Sequence, residues 1–228
     1  MKKMTDVTVT INGEQVTGHE GATILELAQE KGIDIPTLCH CAGLAPMGAC
    51  RLCVVEVAGS RALVGSCHTP ITPGMVIQTH SPKVLAARRV IIELLLASHS
   101  GFCTVCDKAN ICELRKLAAD MDIGLSHYPS KKRYYPIEDV SPYIARDLSK
   151  CILCRRCLQI CNSVAKKRVY GVGYRGFASK IVVDCDQPIN TEACRDCDLC
   201  IISCPTGALS RPGKPGIEKQ GKPLVIRD

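Results

Sequence analysis

The chain has 228 residues, of which 17 are cysteine, two are phenylalanine and none is tryptophan, and its formal net charge is +7. This length suits one large domain or a few small ones, and the scarcity of aromatic side chains excludes large aromatic cores. The start, "MKKMTDVTVT", has no apolar stretch behind its lysines, so it argues against a secretory signal and predicts a cytoplasmic protein. In that reducing compartment an odd number of cysteines favours metal or redox sites over a disulfide framework.

The first 79 residues predict a small sheet with one helix packed across it. "VTVTI" and "EQVTG" alternate in polarity and are joined by Asn12-Gly13, a strong hairpin signal. "GATILELAQEKG" has the apolar spacing of a short helix, and Gly32 lies where a left-handed cap belongs. "CVVEVAG" and "MVIQTH" are further strand candidates.

The longest apolar segment, "VLAARRVIIELLLA" (residues 84–97), predicts a packed amphipathic helix. It is interrupted by three charged residues and is shorter than the roughly 20 residues of a bilayer crossing, so we expect no membrane insertion. Ser81-Pro82 predicts the start of the helix. The apolar positions that recur at helical spacing are Val84, Ala87, Ile91, Leu94 and Leu95. A second short helix is predicted around "ELRKLAADM".

Residues 142–212 contain an internal repeat of cysteines. "CILCRRCLQIC" (151–161) and "CRDCDLCIISC" (194–204) share the spacing C-x2-C-x2-C-x3-C, and the second continues as "CPTGAL". This is the bacterial ferredoxin pattern, in which the fourth cysteine of each run binds the 4Fe-4S cluster of the other. The predicted ligand sets are Cys151, Cys154, Cys157 and Cys204 for one cluster, and Cys194, Cys197, Cys200 and Cys161 for the other. Two zinc sites are the alternative, but they need only paired C-x2-C elements.

Four cysteines of the first unit, Cys39, Cys50, Cys53 and Cys67, have a spacing similar to a plant-type 2Fe-2S site with a longer first gap. "IPTLCHCAGLAPMGACRLCVVEV" resembles the 2Fe-2S domain shared by the large iron-sulfur subunit of respiratory NADH dehydrogenase and its hydrogenase relatives. The resemblance implies a β-grasp fold for residues 1–79. Cys41 is an alternative to Cys39 as the first ligand.

The stretch "HSGFCTVCDKANIC" places a histidine and three cysteines between the other two units. It resembles the family's 4Fe-4S site with three cysteine ligands and one histidine ligand. The resemblance implies that a small helical domain, residues 80–141, binds this cluster through His99, Cys103, Cys106 and Cys112.

The basic net charge is poor evidence for nucleic-acid binding. In formal counting, four oxidised clusters with these ligands carry about seven negative charges, which offset the basic side chains. "SKKRYYP" (130–136) is expected to be a solvated loop. "GVGYRG" (171–176) matches G-x-G-x-x-G but precedes the strand-like "KIVVD", so it predicts a hairpin instead of a nucleotide site. The remaining Cys185 is expected to be a small buried residue.

The α+β architecture, with its β-grasp, helical and double ferredoxin-type domains in that order, most resembles the small diaphorase subunits of cytoplasmic NAD-reducing nickel-iron hydrogenases. The resemblance implies an electron-transfer subunit whose partners are an FMN- and NAD(P)-binding diaphorase subunit and the small and large hydrogenase subunits. From the last residue, Asp228, and the tail that starts at residue 213, we expect none of the large extra domains of respiratory subunits or iron-only hydrogenases. Electron-bifurcating hydrogenases and NAD-dependent formate dehydrogenases have equivalent subunits. A zinc-stabilised interaction or nucleic-acid-binding protein is the alternative from another class.

Overall fold

A computed structural model describes residues 6–99, 102–129, 132–189 and 191–213. Five strands form its first sheet: β1 (Asp6–Ile11), β2 (Glu14–His19), β3 (Val54–Val57), β4 (Val64–Gly65) and β5 (Val76–Gln78). Their order is β2-β1-β5-β3-β4, with β1 and β5 parallel and the other neighbours antiparallel. This mixed sheet, crossed by one helix, confirms the β-grasp prediction.

The hairpin of β1 and β2 forms as predicted, with Ile11 paired to Glu14 across the turn. Asn12 and Gly13 both have positive φ angles, 53° and 92°. Positive φ at both central residues gives a turn whose twist matches that of the flanking strands. Local chemistry therefore determines this part of the fold.

Helix α1 (Ile24–Glu30) lies on the sheet and buries the apolar face that the sequence predicts, which consists of Ile24, Leu25, Leu27 and Ala28. Thr23 and Glu26 form a reciprocal capping box at its start. Gly32 follows with φ +72°, as the predicted left-handed position.

Helix α2 (Pro82–Ser98) starts where Ser81 accepts a hydrogen bond from the Val84 amide, and α3 (Glu113–Asp120) follows it in the second unit. The predicted stripe on α2 is partly wrong, because Leu94 is 51% exposed. The face that packs on β3 follows Val84, Arg88 and Ile92 at i, i+4 spacing. Arg88 is buried there because it donates a 2.9 Å hydrogen bond to the Val54 carbonyl.

The described part of the third unit contains four strands and two α-helices, besides short 3-10 turns. In chain order these are β6 (Ala145–Arg146), α4 (Arg156–Ser163), β7 (Gly171–Gly173), β8 (Lys180–Val182), α5 (Leu199–Ser203) and β9 (Leu209–Ser210). Strands β6 and β9 pair, α4 packs against α5, and β7 and β8 form the predicted hairpin. The G-x-G-x-x-G segment therefore begins a strand pair and not a strand-helix turn.

One apolar core joins all three units. It contains Leu38 and Leu52 of the first unit, Ile92 and Leu114 of the second and Ile152 of the third. The domain boundaries predicted near residues 80 and 142 stay predictions. Residues on both sides of each boundary pack together in this core. The sites described below are consequently held at fixed positions relative to one another. None of the helices in the described ranges has the length and apolar character that a membrane crossing requires.

Candidate metal centres

The first site gathers four buried cysteines at the edge of the first sheet. Cys39 and Cys50 lie on the loop between α1 and β3, Cys53 directly precedes β3, and Cys67 follows β4. A hydrogen bond between the Cys39 and Cys50 thiols lowers the pKa of Cys50 to about 6 and raises that of Cys39. A hydrogen bond between the Cys53 and Cys67 thiols likewise lowers the pKa of Cys53 to about 6 and raises that of Cys67. The charges of Cys39, Cys50 and Cys53 all act on Cys67, so the four thiols form one group.

Cys41 points elsewhere, although it is only two residues from Cys39. It is half-buried, and burial raises its pKa. The charged groups that act on it are Arg156, which lowers its pKa, and Glu113, which raises it. The structure therefore groups Cys39, and not Cys41, with the other three thiols of the first site.

Arg88 is a feature of this site that the sequence analysis missed. Its side chain is 1% exposed, its charge and that of Cys53 interact, and its Nε has no hydrogen-bond partner among the described residues. Burial lowers its pKa, and the interaction with Cys53 opposes that change. The available signal was a charged residue at i+4 from Val84 on an otherwise apolar helix face. The result is a buried positive charge beside the first site.

The second site lies between α2 and α3. Cys103 begins a short 3-10 turn and Cys106 follows it, and Cys112 caps α3 and accepts a 3.4 Å hydrogen bond from the Arg115 amide. Burial raises the pKa of Cys112, and the charges of Cys103 and Cys106 raise it further, so the three thiols lie together.

His99 ends α2 and is 5% exposed, and burial lowers its pKa. The charge of Lys150 also acts on His99, and Lys150 forms a 2.8 Å ion pair with Asp107, the residue after Cys106. Lys150 thus lies beside both His99 and the three-cysteine turn. His99 as the fourth ligand stays a prediction.

The third site is a cavity lined by all four cysteines of the first predicted ferredoxin-type set: Cys151, Cys154, Cys157 and Cys204. The cavity holds about 420 Å³ of empty space, including the part that opens to solvent. Leu153 and Arg155 take left-handed backbone conformations, which wrap the chain around it. The Leu153 amide donates a 3.4 Å hydrogen bond to the Cys151 sulfur, and burial raises the pKa of Cys151 to about 11.

The fourth site consists of Cys194, Cys197 and Cys200 together with Cys161 from α4. The charges of Cys161, Cys194 and Cys197 all act on Cys200, which shows that the four thiols lie together. Burial raises the pKa of Cys200 to about 12. The Val169 amide donates a 3.3 Å hydrogen bond to the Cys161 sulfur.

The two ferredoxin-type sites exchange their fourth cysteines, as the repeat predicts. Cys161 lies in α4 of the first copy and Cys204 follows α5 of the second. Because α4 and α5 pack against each other, each helix delivers its cysteine to the loop of the other copy. The charge of Cys200 acts on Cys157, so the two sites adjoin.

The donor sets fit iron-sulfur clusters. Soft sulfur ligands line the sites, and backbone amides are directed at several of the sulfurs, among them those of Cys112, Cys151 and Cys161, in the way that hydrogen-bond donors support cluster thiolates. Burial raises the pKa of Cys151, Cys154, Cys157 and Cys200, so cluster insertion must displace their protons. No group of three or more His, Cys, Asp or Glu side chains in the described residues is arranged around a single metal ion.

Two further predictions concern residues outside the sites. Cys185 is exposed, with φ 56° next to Asp184 and Asp186 in similar conformations, so its expected burial is wrong. The first two residues of "SKKRYYP" lie outside the described residues. In the rest of that segment, Arg133 packs over the Phe177 ring at 5.4 Å, and the Tyr135 amide donates a hydrogen bond to Ser149. This part of the loop is tied to the third unit.

Three domain families match the chain in the order of the predicted units. They are described as a 2Fe-2S iron-sulfur cluster binding domain (residues 4–82), an NADH-ubiquinone oxidoreductase-G iron-sulfur binding region (88–127) and an NADH-quinone oxidoreductase subunit 3 ferredoxin-like domain (141–210).

Among curated proteins, NADP-reducing hydrogenase subunit HndD of Solidesulfovibrio fructosivorans is 42% identical over 211 residues, which is 90% of this chain and 36% of that protein. The mitochondrial NADH-ubiquinone oxidoreductase 78 kDa subunit of Candida albicans is 33% identical over 92% of this chain and 29% of its own length. The chain therefore spans about a third of the length of these two relatives.

A solved structure matches at nearly full length. One chain of an NAD+-reducing [NiFe]-hydrogenase in the H2-reduced state superposes with a TM-score of 0.76 and 31% identity, over 89% of this chain and 86% of that one. The chain belongs to the family of iron-sulfur subunits found in NAD(P)-reducing hydrogenases and NADH-quinone oxidoreductases.

Proposed function

We propose that the chain is the electron-transfer subunit of a multisubunit, cytoplasmic NAD(P)-linked hydrogenase. It relays single electrons between a diaphorase subunit that binds FMN and NAD(P) and a nickel-iron hydrogenase module with a small and a large subunit. The observation that carries this proposal is the match over 86% of a chain of an NAD+-reducing [NiFe]-hydrogenase, together with four ligand groups in one fold.

The proposed cofactors are one 2Fe-2S cluster and three 4Fe-4S clusters. The first is assigned to Cys39, Cys50, Cys53 and Cys67, and the second to His99, Cys103, Cys106 and Cys112. The ferredoxin-type pair is assigned to Cys151, Cys154, Cys157 and Cys204, and to Cys161, Cys194, Cys197 and Cys200. Such clusters supply reversible one-electron chemistry when bound.

The chain's own residues fit that role by excluding water and fixing distances. Most proposed ligands are buried, and the apolar core that crosses the three units keeps neighbouring sites in place. The charges of Cys157 and Cys200 interact across the two ferredoxin-type sites, which supports electron exchange between them. Arg156 lies beside the third site, where the charge of Cys154 acts on it, and it forms a 2.9 Å ion pair with Glu113 at the start of α3.

We assign FMN and NAD(P) to a partner because the G-x-G-x-x-G segment of this chain forms the β7-β8 hairpin. A second candidate is the corresponding region of an NADP-reducing hydrogenase, which the 42% identity to subunit HndD favours. An electron-bifurcating hydrogenase or an NAD-dependent formate dehydrogenase has the same cluster chemistry and differs in its partner chains.

The test is anaerobic purification of the native complex through a tag on this chain. We expect co-purification of a flavin-binding subunit and nickel-iron hydrogenase subunits, with cluster reduction by both H2 and NADH or NADPH. A formate dehydrogenase or ferredoxin-dependent partner set would select the alternative. A colourless zinc protein that is not reduced by either donor would contradict the electron-transfer role.

A further inference from the structure

Tyr170 is a buried phenol next to the fourth site. It lies in the segment between α4 and β7 and is 5% exposed. Its hydroxyl oxygen is 3.3 Å from the Cys200 sulfur, and both residues belong to the same apolar core. A phenol has an ordinary pKa of about 10, so at neutral pH its hydroxyl is protonated and can donate a hydrogen bond.

The direction of this hydrogen bond follows from the chemistry of a cluster ligand. A cysteine that binds iron is a thiolate, which has no proton to donate, so the Tyr170 hydroxyl is the donor. A donor to a ligand sulfur compensates part of its negative charge and favours the reduced cluster. A hydrogen bond to a charged acceptor is also stronger than a neutral one.

Only one of the two cysteine repeats has this contact in the described part of the chain. The position equivalent to Cys200 in the first copy is Cys157, and in the described part of the chain no side-chain donor bonds its sulfur. The Tyr170 hydroxyl nevertheless lies within electrostatic range of Cys157 as well as Cys194. Tyr170 thus lies where the two ferredoxin-type sites meet, but its hydrogen bond goes to one of them.

We infer that Tyr170 is a positioning residue that raises the reduction potential of the cluster held by Cys161, Cys194, Cys197 and Cys200, relative to its neighbour. The inference rests on the proposed function, because it requires both clusters to be present. When one electron passes between them, one cluster is oxidised and the other is reduced by the same single electron. The Tyr170 hydrogen bond favours the state in which the electron is on the Cys200 side.

The test compares Tyr170→Phe with Tyr174→Phe in the purified, cluster-loaded complex. Tyr174 is a suitable control because it is 63% exposed and donates its hydroxyl to Asp186 instead of a cysteine. In a redox titration followed by electron paramagnetic resonance, Tyr170→Phe should shift the midpoint of one ferredoxin-type cluster to a more negative potential. It should also remove one exchangeable-proton hyperfine coupling from that cluster. Tyr174→Phe should change neither property.

Replacing Tyr170 with 3-fluorotyrosine, a stronger hydrogen-bond donor of similar shape, should shift the same midpoint in the positive direction. This second variant keeps the test valid should the phenylalanine variant fail to fold. Unchanged midpoints with full iron content, or equal shifts of both ferredoxin-type clusters, would overturn the inference and leave the proposed function intact. Wild-type protein without ferredoxin-type signals would instead overturn the proposed function.

Discussion

Two cysteines separated by one residue take different positions at the first site. The Cys39 thiol is hydrogen-bonded to Cys50, whereas Cys41 lies near Arg156 and Glu113. The sequence favoured Cys39 as the first ligand and left Cys41 as the alternative, with a gap of eight residues before Cys50 instead of ten. Only the folded loop separates them.

We therefore expect Cys41→Ser to keep the 2Fe-2S signal and Cys39→Ser to lose it. Electron paramagnetic resonance of the dithionite-reduced protein measures this, with iron content as the control. The opposite pattern would make Cys41 the ligand.

Arg88 shows how a buried charge acts on both stability and redox properties. Removing it by Arg88→Met leaves the Val54 carbonyl without its donor, which costs about 1–3 kcal/mol of the free energy of unfolding. Loss of the positive charge near Cys53 should also make the first cluster harder to reduce.

The matched control is Arg89→Met on the same helix, because Arg89 also donates to a backbone carbonyl, that of Met121, but from an exposed position. Thermal unfolding and the 2Fe-2S midpoint are measured for both variants. Equal effects of the two substitutions would show that burial beside the first site has no special role.

At the scale of elements, the sequence predicted what local chemistry determines. The Asn12-Gly13 turn, the left-handed Gly32 after α1 and the Ser81 cap of α2 all formed where their residues indicated. The prediction of which face of α2 is buried was partly wrong. Hydrophobic spacing alone does not reveal that Arg88 is buried through a hydrogen bond to a backbone carbonyl of β3. Such a pairing depends on which elements meet.

The turn between α5 and β9 gives a prediction at this scale. Gly207 has φ +67°, and a β-carbon there would lie 2.7 Å from Cγ of the buried Lys108. Gly213 has the same φ and nothing within 4 Å, so it controls for backbone strain. We expect Gly207→Ala to destabilise the protein by about 1–3 kcal/mol more than Gly213→Ala, from the cost of overpacking.

Chemical denaturation of the two glycine variants measures this difference. The iron content of Gly207→Ala should also fall, because the turn closely follows Cys204. Equal stabilities would mean that Lys108 moves aside at little cost.

At the scale of the whole molecule, cysteine spacing predicted the groups that the fold assembles. The exchange of Cys161 and Cys204 between the two ferredoxin-type sites followed from the repeat. The core that joins Leu38, Ile92 and Ile152 was not predictable, since contacts between distant segments leave no periodic signal in one sequence. Arg88 and Tyr170 were missed for the same reason, because their partners are distant in sequence.

We propose that fifteen cysteines and His99 together hold four iron-sulfur clusters. The iron and acid-labile sulfide content of the anaerobically purified protein, measured together with protein concentration, tests this proposal. We expect a brown protein with about 14 iron atoms per chain and a matching amount of sulfide. Stoichiometric zinc, or iron without sulfide, would contradict it.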